Sequence, residues 1–256
     1  MLLAVNVGNT QTHIGMWNGD DLAAEWRTST DPRRTADELA LIFHEFLSFE
    51  DLSFSRQVTG VVISSVVPAL TPQLREMVER YFHFAPVTVE PGTKTGMPIL
   101  VENPREVGAD RIVNAIGAFE LAGGPAIVVD MGTATNFDVV SETGEFLGGA
   151  IAPGIQISAN ALFTVAAQIQ RLELTLPKSS IGRSTTEAVR SGVLFGAAAM
   201  IDGMVERIQK ELGGHAAVIA TGGLAPMILE ECTIAARHEP NLTLIGLRII
   251  YERNVA

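Results

Sequence analysis

Cysteine is almost missing from this chain. Cys232 is the one copy in 256 residues, so neither an internal disulfide nor a cysteine-built metal site can form. Its thiol is read as a packed residue. Basic charge is scarce as well: 18 Lys and Arg face 29 Asp and Glu, a formal net charge of −11. That balance argues against nucleic acid, whose phosphates select basic faces. No apolar run reads as long enough to cross a bilayer. Met1 leads straight into strand composition, with no basic segment and no cleavage signal. The expectation is a soluble, cytoplasmic protein with no membrane partner. What is present is globular, 47% hydrophobic and 18% charged, and long enough for one large domain or two of ordinary size.

The most informative stretch is Ala126-Ile-Val-Val-Asp130-Met-Gly132-Thr133-Ala-Thr-Asn-Phe-Asp-Val-Val140. An apolar run enters an acid, a glycine and hydroxyl residues, then alternates into a second apolar run, the pattern of a β-hairpin. Its glycine admits close approach to the backbone, and free N–H groups with Thr hydroxyls suit phosphate oxygens. Asp130, at the strand end, is suited to hold a cation against those phosphates. An ordinary buried strand pair would satisfy the same pattern. A second copy, about half a chain earlier, favours the chemical reading. Leu2 to Trp17 has the same layout, with Asn6 opposite Asp130, Gly8 opposite Gly132 and Asn9 opposite Thr133. So long a period indicates two related lobes rather than a solenoid. Two such hairpins facing one another would clamp a polyphosphate, and a cation with local backbone dipoles would offset the acidic field.

The remaining elements alternate in α/β order. Leu22 to Ser29 reads as a third strand. Thr35 to Phe49 reads as a helix with a capping box (Thr35, Glu38) and a buried face of Leu39, Ile42, Phe43, Phe46 and Leu47. A strand over Gly60 to Val67, a helix over Leu70 to Phe82 and a strand over Pro86 to Glu90 complete the first lobe. Thr93, Lys94, Thr95 and Gly96 are either plain linker or the border of a pocket. Gly108-Ala109-Asp110-Arg111 opens a helix, and a carboxylate near that positive helix end is favoured in its charged form, as a base requires. In the second lobe, the paired glycines and Pro-Gly of Phe146 to Gly154 imply a bent or closely approached backbone. Ser158 to Ala167 reads as a helix. Gly182 to Thr185 caps a helical region, Glu187 to Leu212, expected to be broken by Gly192, Gly196 and Gly203. The small residues Gly192, Gly196 and Ala199 suit close helix contact, inside the core or across a dimer. Ala216 to Ala220 reads as a buried strand leading through Gly222-Gly223 into a helix.

Together these strings resemble the type III pantothenate kinases of the actin-like ATPase superfamily. The similarity covers nearly the whole chain: VGNT (Val7–Thr10), TADEL (Thr35–Leu39), TGMP (Thr95–Pro98), VGADR (Val107–Arg111), VDMGTAT (Val129–Thr135), GGAIAPG (Gly148–Gly154) and ATGG (Ala220–Gly223). The resemblance implies an α/β fold of two duplicated ribonuclease-H-like lobes, 1–117 and 118–256, with nucleotide in a central cleft. It implies ATP-dependent phosphorylation of pantothenate, the first step towards coenzyme A, in a homodimer. By position, Asp110 resembles the general base. Val101, Gly108, Ala109, Asp110, Arg111 and Thr185 resemble the pantothenate site. Asn6, Val7, Gly8, Asn9, Thr10, Gln11, Thr12 and His13, with Thr133, resemble the ATP-phosphate loops. Asp130 resembles the acid that holds an activating monovalent cation, K⁺ or NH₄⁺, and Mg²⁺ would accompany ATP.

The chain departs from the family pattern in four places: Asn6 where an acid is usual, Val101 where Tyr is common, Ser184 for Asn and Arg190 for Gln. Asn6 weighs most. Losing one preorganised electrostatic group implies roughly a 10²–10³-fold loss of turnover if that acid handles Mg²⁺. The alternatives are therefore a weak or inactive homologue with a binding or regulatory role, and, ranked last, a phosphatase or ATP-driven switch.

Overall fold

The computed structural model describes residues 1–53, 57–166 and 171–255. In chain order the elements are β1 (Leu2–Val7), β2 (Gln11–Asn18), β3 (Asp21–Ser29), α1 (Ala36–Ser48), β4 (Gly60–Ser65), α2 (Leu70–Phe82), β5 (Val87–Thr88) and α3 (Ala109–Ala122). They continue with β6 (Ala126–Met131), β7 (Ala134–Val140), β8 (Phe146–Pro153), α4 (Ile155–Val165), α5 (Thr185–Glu211), β9 (Ala217–Thr221), α6 (Ala225–Leu229), β10 (Arg237–His238) and α7 (Leu242–Val255). The expected end of α4 at Ala167 lies outside the described residues.

Two compact units result. The first comprises Met1–Pro98, Glu102–Gly117 and Asn241–Ala256; the second comprises Ile99–Val101 and Ala118–Pro240. Each holds a five-stranded sheet, in the orders β3-β2-β1-β4-β5 and β8-β7-β6-β9-β10. The two orders correspond strand for strand. In both, the central strand pairs antiparallel with the following hairpin strand and parallel with a later one. The duplication read from the hairpins is therefore a duplication of whole sheets.

In the first unit, β1 is an apolar strand buried on both faces. Leu3, Val5 and Val7 join Ile14 and Met16 of β2 in a core with Leu39, Phe43 and Leu47 of α1 and Leu74, Met77 and Phe82 of α2. Burying each such side chain contributes about 1.5–3 kcal/mol. The capping box at Thr35 and Glu38 is formed, starting α1 where the sequence places it. The other sheet face is covered by α7. Placed on Gly15, a Cβ would lie 2.6 Å from Leu244, and on Gly60 it would lie 1.9 Å from the Tyr251 hydroxyl. Arg248 stacks over Trp17 at 5.2 Å. The expected second-lobe boundary, 118–256, is thus corrected: 241–256 belongs to the first unit because α7 supplies its missing layer. Its end also clasps the 93–97 loop, with Asn254 accepting from Lys94 N–H at 3.1 Å and donating to Lys94 O at 3.0 Å.

In the second unit, Ile127, Val129, Met131 and Phe137 pack with Leu194, Ala197, Ala198, Ile201 and Val205 of α5. That helix runs unbroken for 27 residues, correcting the expected breaks at Gly192, Gly196 and Gly203. A helix glycine costs about 1 kcal/mol, less than the buried face returns. By length and composition α5 would also span a bilayer, with 33% of its apolar window buried, against the expectation that no run would. Cys232 packs at the same core, its Sγ donating to Ala198 O at 3.9 Å. Burial and the nearby acids Asp202 and Glu231 push that thiol up to about 11.

A Cβ on Gly246 would stand 2.0 Å from Val113 O, whereas one on Gly203 meets nothing within 4 Å. Gly246→Val should therefore cost about 1–3 kcal/mol or more by overpacking, while Gly203→Ala should stabilise by roughly 0.5–1 kcal/mol. Urea unfolding of both variants checks the pair; equal effects would refute this packing.

Candidate active site

Strand register places the first group of candidate residues. Antiparallel pairing sets Asn6 opposite His13, and parallel pairing sets it beside Ser64. Paired residues share a face, here the face covered by α7. The turn between β1 and β2 is closed by Gly8 N–H donating to Gln11 O at 3.0 Å, and Thr30 N–H donates to Thr10 O at 3.0 Å. Asn9, Thr10 and Gln11 are exposed, while Thr12 and His13 are buried. A short, hydroxyl-rich turn presenting backbone amides suits phosphate oxygens.

Asp110 belongs to the same unit. It is the second residue of α3, half-buried, and its Oδ1 accepts Arg111 N–H at 2.8 Å. A Cβ on Gly108 would lie 2.7 Å from that Oδ1 and 3.8 Å from the Val66 side chain. Val66 N–H in turn donates to Val7 O at 3.0 Å. The Gly108–Arg111 turn and the Val7–Gly8 turn therefore meet around Val66, at the C-terminal end of β1 and β4. Desolvation raises the Asp110 pKa above the ordinary carboxylate range, against the lowering pull of the Arg111 N–H and guanidinium. This corrects the expectation from the helix end alone, because burial outweighs the helix N-terminus. A carboxylate so destabilised is a stronger proton acceptor.

The second unit repeats the cradle. Asp130, half-buried, is paired with Asn136 and Thr221, and Gly132 N–H donates to Ala134 O at 3.0 Å. Thr133 is exposed at the turn. Gly154 and Gly222 close in on it: a Cβ would stand 2.1 Å from Thr133 O in the first case and 2.5 Å from Met131 C in the second. Thr185 opens α5 and helps line a cavity of about 790 Å³, with Leu162, Arg183, Ser184, Val189 and Gly192 around it. Val101 lies 3.5 Å from where a Cβ on Gly148 would sit. The structure thus gathers Asn6–His13 and Gly108–Arg111 in one unit, and Val101, Asp130, Thr133 and Thr185 in the other.

Two polar atoms at the first cradle test its fitness for a cation. Asn6 Oδ1 and Ser64 Oγ, on adjacent strands, are both buried without a hydrogen-bond partner. Two uncharged oxygens on adjacent strands are compatible with a hydrated Mg²⁺, which takes few protein ligands and completes its shell with water and phosphates. No group of three or more His, Cys, Asp or Glu residues able to hold a metal occurs among the described residues, as such a site requires none. Ser64 was not singled out from the sequence, although two serines ending a β-branched run were the available signal.

The family model for type III pantothenate kinase matches residues 2–207. The chain belongs to the type III pantothenate kinases. A relative named type III pantothenate kinase from Frankia alni is 55% identical over 256 residues, covering 100% of both chains. One of the same name from Streptomyces griseus is 52% identical over 263 residues, covering 100% of this chain and 99% of the relative. Among solved structures, component A of (R)-2-hydroxyglutaryl-CoA dehydratase from Acidaminococcus fermentans superposes with a TM-score of 0.58 at 14% identity, covering 100% and 99% of the two chains. The fold of this pantothenate kinase family member is accordingly the duplicated ribonuclease-H-like, actin-like ATPase fold.

The raised pKa of Asp110 carries a stability consequence. Between the unfolded value, about 3.9, and the higher folded value, the unfolded chain loses its proton first, so this group lowers stability as pH rises. Asp110→Asn should therefore raise the thermal midpoint at pH 7 and leave it unchanged below about pH 3.9. Melting curves across pH check this, and a neutral-pH loss would contradict it.

Proposed function

We propose that this chain transfers the γ-phosphoryl group of ATP to the primary hydroxyl of pantothenate, forming 4′-phosphopantothenate, the first step of coenzyme A synthesis. The observation that carries the reading is the meeting of the Asp110 turn with the Asn6–His13 turn around Val66, in a chain of this family. Asp110 takes the hydroxyl proton; the freed oxygen bonds to the γ-phosphorus as the β–γ bridge breaks and ADP leaves. Such a transfer needs mainly positioning and charge neutralisation. In each unit taken by itself, the amides of the glycine turn, at Gly8 or at Gly132, suit phosphate oxygens. Arg111 receives the pantothenate carboxylate through its two-pronged donor geometry. In the second unit, Thr185 and the apolar walls of its cavity offer a hydroxyl and an apolar surface suited to an acceptor of this chemistry. Asn6 would hold Mg²⁺, which would supply charge neutralisation for the phosphoryl transfer. Asp130 would hold the monovalent cation. Substrate and product are polar metabolites, which favours the cytoplasm.

A homodimer fits the second unit. Gly192, Gly196 and Ala199 form an exposed small-residue stripe on α5, and a Cβ on either glycine meets nothing of the chain within 4 Å. This exposure supports the dimer reading of the stripe over the core one. Exposed apolar side chains accompany it in the same unit, Ile151 at 64%, Val165 at 84% and Ile181 at 82%.

With ATP, Mg²⁺, potassium and pantothenate, the purified chain should release ADP and 4′-phosphopantothenate in equal amounts. Acceptor-independent hydrolysis, or no product at high enzyme concentration, would oppose the reading. Asp110→Asn should lower kcat about 10²–10⁴-fold, and the wild-type rate should fall with pH through a value above the ordinary carboxylate range. For the dimer, Gly196→Arg should convert a species of twice the chain mass to monomer in light scattering. An unaltered mass would exclude this face.

A further inference from the structure

The rung of the first sheet that carries Asn6 runs through Ser64 on β4, Asn6 on β1, His13 on β2 and Arg27 on β3. Its counterpart in the second sheet runs through Thr221 on β9, Asp130 on β6, Asn136 on β7 and Ile151 on β8. The rungs correspond strand for strand, yet they differ in charge. The second has a carboxylate on its central strand and no basic side chain. The first has no acid, and its edge strand brings a guanidinium. Cross-strand partners share a face, so Arg27 stands on the same side of the sheet as Asn6, two strands and about 10 Å away. Arg27 is exposed and makes no ion pair with a carboxylate among the described residues. Glu25, two residues earlier on β3, lies instead with its Oε2 3.2 Å from His13 Nε2. Asp110, at the adjoining turn, has the Arg111 guanidinium beside it.

We propose that the first cradle is an anion site that takes the nucleotide without a prior metal. Arg27 supplies its resident positive charge, neutral Asn6 leaves phosphate unopposed, and Mg²⁺ reaches Asn6 only as Mg–ATP. A free divalent cation is drawn over distance by negative charge. Asn6 Oδ1 and Ser64 Oγ, both buried without a partner, offer it contact but no such attraction, and the guanidinium repels it. A polyphosphate meets the opposite field, and the fork of an arginine matches its oxygens. The neutral residue at position 6 thus sets what the cradle recognises first, phosphate and not cation. The inference deepens the kinase reading proposed above and rests on it for the identity of the nucleotide.

Calorimetric titration of the purified chain with ATP, once in excess EDTA and once with Mg²⁺, tests this without pantothenate or turnover. Wild type should bind metal-free ATP within about 10-fold of Mg–ATP, since the cradle's own charge favours the anion. Asn6→Asp sets a carboxylate against phosphate, and should weaken metal-free ATP about 10-fold or more while moving Mg–ATP less than about 3-fold. Arg27→Gln should weaken metal-free ATP about 10-fold by removing a charge-assisted contact. Arg33→Gln is the control: its guanidinium is already paired with Asp31 at 3.0 Å, and metal-free affinity should not change. Wild-type binding in EDTA that is absent, or weaker than Mg–ATP by more than about 10-fold, overturns the inference. So does an unchanged metal-free affinity in either Asn6→Asp or Arg27→Gln, or a loss in Arg33→Gln equal to that in Arg27→Gln. Should Asn6→Asp fail to fold, the wild-type ratio and the two arginine variants decide. Failure of the kinase reading is separate: the wild type then binds ATP as described yet forms no phosphopantothenate.

Discussion

The two hairpin cradles depend on the ladder that joins each central strand to one antiparallel and one parallel neighbour. A slip of one residue would send every side chain of β1 to the opposite face. In register, Leu3, Val5 and Val7 enter the core while Asn6 shares its face with His13 and Ser64. The apolar alternation that stabilises the sheet thus also aims its polar exceptions. The same holds for β6, where Val129 and Met131 are buried and Asp130 between them is aligned with Asn136 and Thr221. Packing energy and site geometry share one determinant, so damage to either ladder would disturb both.

The two cradles share an architecture but not a charge. Where the second presents Asp130, flanked by Asn136 and Thr221, the first presents Asn6, flanked by His13 and Ser64. An ionised carboxylate attracts a cation over several ångströms, while an amide oxygen acts only in contact. The duplicated sheets therefore differ at matching positions in the kind of oxygen they present, a carboxylate in one unit and an amide in the other. Backbone amides of the Gly8 and Gly132 turns are indifferent to this difference, because they belong to the turn and not to the side chain.

Local chemistry made much of the fold legible. The capping box of Thr35 and Glu38 and the helical spacing of Leu39, Phe43 and Leu47 mark α1 without tertiary help. The bounds of α2 are those its amphipathic spacing implies. The destination of α7 was not legible. Leu242, Leu244, Leu247, Ile249 and Ile250 are all buried, so the helix has no single apolar stripe to mark a partner, and chain order assigned it to the wrong unit. Nor could the glycines of α5 be read locally. Their effect depends on whether the opposite face buries enough to hold the helix straight. At the site, residue types were visible, but the environment of Asp110 was not: its place at a helix start pointed to a stabilised charge, and only burial reverses that.

That reversal bears on why a glycine precedes Asp110. A Cβ on Gly108 would fall 2.7 Å from the carboxylate oxygen, closer than any side chain tolerates. The glycine allows Asp110 to fold back over its own turn, where Arg111 N–H meets one oxygen and the rest of the group is drawn out of water. Backbone hydrogen bonds orient the carboxylate without outweighing its desolvation. A fully solvated acid at this point would be ionised but weakly basic; a fully bonded one would be ionised and inert. The turn holds Asp110 between these limits, and that intermediate state is what the proposed abstraction of an alcohol proton would require.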